Sequence, residues 1–192
     1  MSGWEDDLED PVLAELSVQD TAALSEALVE GAAPPPSLRD RIMAAASLEG
    51  RFERYVATTA RLLDVDEDRA RGLLDGIGRG EVWYQGLLPD VSLYDIEGGP
   101  AVENAITGFI RMPAGTPFPE HDHLGKESAL ILQGSAEDHR GVIWRPGEVI
   151  VLEAGQVHSF RARPGPDLVY LVVVQNGIKI GDQTFGPDDP RV

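Results

Sequence analysis

The sequence predicts an α+β protein, with a helical N-terminal domain over residues 1–80 and an all-β sandwich or barrel over residues 81–192. Two observations carry this. Up to Gly80 the apolar residues recur at steps of three and four, the period of a helix, whereas from Glu81 they fall into short β-rich runs separated by Gly and Pro. The change coincides with Gly76, Gly78 and Gly80, a cluster at which a helix stops.

Each helix has its own start and stop signals. Asp10 and Pro11 open a short helix over residues 11–16, because Pro at the first helical position forfeits no hydrogen bond. Ser17, with Asp20 three residues on, resembles a capping box and starts a helix carrying Val18, Thr21, Leu24 and Leu28 before Gly31 ends it. Pro34, Pro35 and Pro36 form a linker, and Ser37 caps a third helix carrying Leu38, Ile42 and Ala45. The clearest stripe follows in Phe52, Tyr55, Val56, Thr59, Leu62 and Leu63, with Arg51, Glu53, Arg54 and Arg61 on the other face. Asp66 caps the next helix, Glu67 and Asp68 suit its dipole, and Ala70, Leu73, Leu74 and Ile77 form its stripe. These stripes are packing surfaces against one another or against the β part, and secondarily a partner groove.

Eight β-rich runs follow, at 82–84, 92–96, 106–112, 128–132, 142–144, 149–152, 158–162 and 168–174. Their spacing is that of an antiparallel sandwich or barrel. Chemistry concentrates between Gly115 and Gly134, in GTPFPEHDHLGKESALILQG, and between Gly147 and Phe160, in GEVIVLEAGQVHSF. His121 and His123 stand two apart, so on a strand both imidazoles leave one face while Asp122 leaves the other. Glu127 follows four residues later, and His158 comes after a β-branched run and the turn-forming Gly155, where a neighbouring strand could bring it across. Three imidazoles and a carboxylate suit a divalent transition metal with a position left for water or a ligand. Against this stands the ordinary histidine, on the surface or satisfied in a core. His139, in AEDHRG, reads as a solvated hairpin tip. Strand alternation from Glu127 turns Ala129, Ile131 and Gln133 inward, and from His158 it turns Phe160 inward, so Gln133 and Phe160 are candidate ligand-binding residues. Gln133, Tyr170 and Arg111 are the polar candidates for any further chemistry.

The two stretches resemble the cupin family, whose motifs read G-x5-H-x-H-x3,4-E-x6-G and G-x5-P-x-G-x2-H-x3-N. Gly115, His121, His123, Glu127 and Gly134 match the first, and Gly147, Gly155 and His158 the second. Glu153 stands where the family often has Pro, and Ala162 where it often has Asn. The resemblance implies a double-stranded β-helix, or jelly roll, over residues 81–192, with His121, His123, Glu127 and His158 holding one metal ion such as zinc, iron, manganese or nickel. The order of helical region then cupin is similar to the ChrR-type anti-sigma factors, as are PPPSLRDRI, ARLLDVDEDRARGLLDGI and AITGFIRMPAGTPFPEHDHLGKESALILQG. That likeness implies a sigma factor or another basic protein as partner, a metal centre that modulates its binding, and homodimers. Residues 1–80 contain neither His nor Cys, so the zinc site of that family's N-terminal domain has no ligands here.

Composition bounds the alternatives. The chain has no cysteine, which excludes disulfides, thiolate zinc sites and thiol switching. No apolar run approaches the ~20 residues of a membrane span, and MSGWEDDLED is acidic where a signal peptide is basic, so a cytoplasmic protein is expected. The net charge is −17, with residues 1–100 carrying 21 acidic and 8 basic side chains against 12 and 8 in the rest. Such a surface repels phosphate backbones and accommodates a basic protein, or else serves solubility. Three readings stay open: a sensor or regulator, a metal-dependent dioxygenase or isomerase acting on a small molecule, and a structural metal site.

Overall fold

The structure, a computed structural model, describes residues 50–189, so the helices expected before residue 50 lie outside the described residues. A 3-10 turn at Glu53–Tyr55 leads into α1 (Val56–Leu63), and α2 (Glu67–Gly76) follows. α1 stops where Asp64 takes the left-handed conformation, φ 56°. α2 starts as the sequence predicts, with the Asp66 carboxylate accepting the Arg69 amide at 2.7 Å. At its far end the Trp83 indole and the Arg111 guanidinium both donate to the Ile77 carbonyl, at 3.0 and 2.9 Å, satisfying a group that a helix end leaves open.

Twelve strands follow among the described residues: β1 (Tyr84–Gln85), β2 (Ser92–Asp95), β3 (Ala105–Met112), β4 (Pro117–His123), β5 (Glu127–Gln133), β6 (Ala136–Asp138), β7 (Ile143–Trp144), β8 (Val149–Leu152), β9 (Val157–Ala162), β10 (Leu168–Gln175), β11 (Ile178–Ile180) and β12 (Gln183–Phe185). They form two six-stranded sheets, ordered β1-β2-β3-β10-β5-β8 and β12-β11-β4-β9-β6-β7, with antiparallel neighbours throughout. The eight predicted runs map onto this with one correction. In the run at 82–84, Val82 closes a 3-10 turn, Gly80–Val82, and the strand begins only at Tyr84. β6, β11 and β12 escape the sequence reading because three residues are too few to show a period.

β5 and β10 are neighbouring interior strands of the first sheet and are buried on both faces. One face of each, Leu130 and Leu132 with Val169, Leu171 and Val173, shares a core with Tyr55, Leu63 and Leu74 of the helical segment. The other face, Ala129 and Ile131 with Tyr170, Val172 and Val174, packs on Phe118, Phe160 and Ala162 of the second sheet. Each large aliphatic side chain so enclosed contributes about 1.5–3 kcal/mol. The compact unit that holds both cores runs from Phe52 onward. No helix among the described residues is long and apolar enough to cross a membrane.

Candidate metal centre

β4 and β9 are neighbours in the second sheet, and their register sets His121 directly opposite His158. His123 lies two residues further along β4, on the same face as His121. Glu127 belongs to the other sheet, at the start of β5, and the three-residue link from β4 brings its carboxylate back across. That link is tight. A Cβ on Gly125 would come 2.4 Å from the Gln175 carbonyl oxygen, so glycine is what allows the chain to turn from one sheet to the other here. Gly155, at φ +78°, makes the corresponding turn before β9 and donates its amide to the His123 carbonyl at 2.8 Å.

The result is a buried cluster in which His121, His123, Glu127 and His158 each place one potential ligand atom within 4.8 Å of the others. Their relative exposures of 4, 1, 8 and 4% put all four beyond bulk water. Main-chain carbonyls fix two of the rings. His121 Nδ1 lies 2.9 Å from the Pro119 oxygen and His123 Nδ1 lies 2.7 Å from the Gln156 oxygen. A carbonyl can only accept, so both Nδ1 atoms carry the proton and both Nε2 atoms present a lone pair when the rings are neutral. The His121 Nε2 faces His158 Nε2 at 2.9 Å, while His158 Nδ1 is buried without a partner. The His123 Nε2 faces Glu127 Oε2 at 2.7 Å.

Protonation follows from these surroundings. Burial disfavours the charged form of all three rings. For His158 burial, reinforced by the charges His121 and His123 would carry, lowers the pKa to about 3, and for His121 burial outweighs the Pro119 carbonyl and lowers it as well. For His123 burial is overcome by the hydrogen bond and charge of Glu127 and by the Gln156 carbonyl, so its pKa is raised. Two imidazole Nε2 atoms 2.9 Å apart, an orphaned imidazole nitrogen and an enclosed carboxylate form a donor set that suits a divalent cation.

The four sequence-predicted metal-ligand candidates therefore meet. Phe160 stacks on Phe118 at 5.0 Å with ring planes 4° apart, and Phe118 lies edge-on to His121 at 4.9 Å. Gln133 lies at the far end of β5, where its amide donates to the Asp167 carbonyl at 2.9 Å, away from the four clustered side chains. Arg111 is on the helix-facing side of β3, over the Trp83 ring at 4.1 Å. Tyr170 faces inward and lines a cavity with His121 and Glu127. Trp144, 5.6 Å from the His158 ring, was not foreseen because β7 shows only two residues of pattern. The carbonyls of Pro119 and Gln156 leave no trace in side-chain chemistry. His139 sits in an exposed turn after β6, as predicted.

Two antiparallel sheets enclosing three imidazoles and a carboxylate contributed by both sheets define a cupin with four side chains that could hold a metal ion. Residues 100–176 match the family model of the ChrR cupin-like domain, and this segment is a ChrR-like cupin. Dimethylsulfoniopropionate lyase DddQ of Ruegeria pomeroyi is 27% identical over 159 residues, 76% of this chain and 77% of that protein. Among solved structures, a chain from the complex of Rhodobacter sphaeroides SigE with the anti-sigma ChrR is 20% identical, covering 86% of this chain and 93% of that one, with a TM-score of 0.48. An acetylacetone dioxygenase from Acinetobacter johnsonii is 14% identical, covering 57% and 83%, with a TM-score of 0.49.

Proposed function

We propose that this protein is a metal-dependent regulator of the ChrR type, in which one divalent transition metal ion held by His121, His123, Glu127 and His158 modulates the binding of a protein partner, a sigma factor, by the N-terminal region. The observation that carries this reading is the two-faced strand β5. Its first residue, Glu127, is a candidate ligand on the inner face, while Leu130 and Leu132 pack on the helical segment through the outer face. A change at the centre therefore acts on the same strand that supports α1 and α2. The match of residues 100–176 to the ChrR cupin-like family supports the same reading. The energy needed is small, since a tenfold change in partner affinity takes about 1.4 kcal/mol of coupling. A bound ion would supply a Lewis-acidic centre. The protein's own residues orient the imidazole lone pairs through Pro119 and Gln156, keep the site dry and fix the Glu127 carboxylate. Homodimers and a cytoplasmic setting belong to the same proposal, and light scattering addresses the first.

An enzyme acting on a small molecule is the second reading, favoured by the cavity that opens onto His121 and Glu127 and by the lyase relative. One paired experiment separates them. Metal-loaded and metal-free full-length protein are tested for binding to purified sigma factors from the same organism, and for O2 uptake and loss of dimethylsulfoniopropionate. Metal-dependent sigma binding without turnover is expected. Metal-dependent turnover with no sigma bound in either form would replace the regulator with an enzyme.

A further inference from the structure

Beside the four ligands lies a cavity of ≈ 90 Å³ between the two sheets. Its first-sheet wall is Leu93, Ile106, Ile110, Val172 and Val174, and its second-sheet wall includes Ile178 and Phe160. Leu88 and Val91, from the β1–β2 connection, close one side. Five polar side chains line it. Thr107 already donates its hydroxyl to the Ile96 carbonyl, and the exposed Asp95 bonds the Tyr84 hydroxyl. The other three, Tyr170 and the candidate metal ligands His121 and Glu127, are buried. No lysine or arginine is among the described residues that line it.

The wall chemistry limits the occupant. With no cation to meet a second carboxylate and two acidic side chains already on the lining, a dianion finds no partner away from a metal. Aliphatic walls gain from an apolar body instead. The volume is below the about 150 Å³ of a hole that accepts benzene, which points to a body of about three or four carbons. Building on the metal centre proposed above, we infer that the site takes a small ligand with one metal-binding head group, directed at His121 and Glu127, and a short alkyl tail lodged among Leu93, Ile106, Val172 and Val174.

The test is a chain-length series in two arms on the full chain. In the first, cobalt(II)-loaded protein is titrated with the straight-chain hydroxamates from acetohydroxamate to octanohydroxamate, read by the cobalt visible spectrum, with malonate as the dianionic comparison. In the second, metal-free protein is titrated with 1-alkanols from ethanol to octanol, read by tryptophan fluorescence and thermal shift. Affinity should rise roughly fourfold per methylene, the equivalent of burying one CH2, and level off once three or four carbons are enclosed. Ile106→Phe, and independently Val172→Leu, should flatten the rise while acetohydroxamate still perturbs the cobalt spectrum. Flat series in both arms, an unbroken rise to eight carbons, or malonate outcompeting butyrohydroxamate would overturn the inference. Failure to take up one cobalt per chain would sink the metal centre itself, and the alkanol arm would then decide whether the apolar cavity binds on its own.

Discussion

His123 is the residue on which the centre turns. It is the most deeply buried of the four candidate ligands and the one whose protonated form is favoured, because Glu127 outweighs the cost of burial. A metal entering the site must displace that proton. Apparent cobalt(II) affinity is therefore expected to fall as pH drops through the raised pKa of His123, above 6.5, and not to wait for His158 at about 3. In Glu127→Gln binding is weaker overall, and its acid limb moves to lower pH because the group that held the proton is gone. His123→Ala should lower affinity by about 100-fold or more, whereas His139→Ala, in its exposed turn, should leave it unchanged. Equilibrium dialysis against cobalt over pH 5 to 8 reads all of these, and full stoichiometry in His123→Ala would disprove the assignment. The grouping of His121, His123 and Glu127 was legible in the sequence because spacing of two on a strand and a short glycine-containing link are local, whereas His158, on a separate strand, was reached only through the second glycine-and-histidine stretch. The fate of Arg111 was not. Strand alternation fixes relative facing, but which face meets helices and which meets the cavity depends on what packs there.

At the scale of elements, the short strands show what a local pattern leaves out. β6 and β7 are three and two residues long, and their hairpin is held by one carboxylate. Asp138 Oδ1 accepts the amides of Arg140 and Val142, each at 2.8 Å, and Oδ2 accepts from the Arg140 guanidinium at 2.9 Å. Burial alone would raise the Asp138 pKa, but these bonds and the Arg140 charge outweigh it and hold it below 3.8. A depressed carboxylate stabilises the fold above its unfolded pKa, and that contribution disappears as pH falls through the folded value. Asp138→Asn is therefore expected to cost about 1–3 kcal/mol at pH 7. The gap between variant and wild type should close as the pH is taken below 3.8, and urea titrations at pH 7 and pH 3 would show it. An equal gap at both pH values would mean that the charge does not hold the hairpin. The sequence AEDHRG identified the turn but not this network, because three residues of strand carry no period while an Asp near a turn is common on any surface.

For the whole molecule, the question is how far the helical segment and the centre act as one body. The sequence placed a boundary near residue 80 because the periodicity changes there, but a change of period marks a change of element and says nothing about which core the helix enters. We propose limited proteolysis as the measure of that division. With Leu63 and Leu74 sharing a core with Leu130 and Leu171, first cleavage near Pro34 is expected to precede any cut near Gly80. The same shared core yields a sharper test. Leu74, 2% exposed on α2, is not among the metal ligands, so Leu74→Ala should lower stability by about 2–5 kcal/mol through the cavity it leaves. If β5 transmits that loosening to Glu127, the variant should also bind cobalt more weakly, by about tenfold, or 1.4 kcal/mol. Linkage then requires the reciprocal effect. The destabilisation caused by Leu74→Ala, measured on the metal-loaded protein, should exceed that on the metal-free protein by the same amount. Equal cobalt affinity in the two proteins, with a lower Tm in the variant, would show that the helices and the centre share a core without sharing energy, and a regulator working through β5 would lose its physical basis.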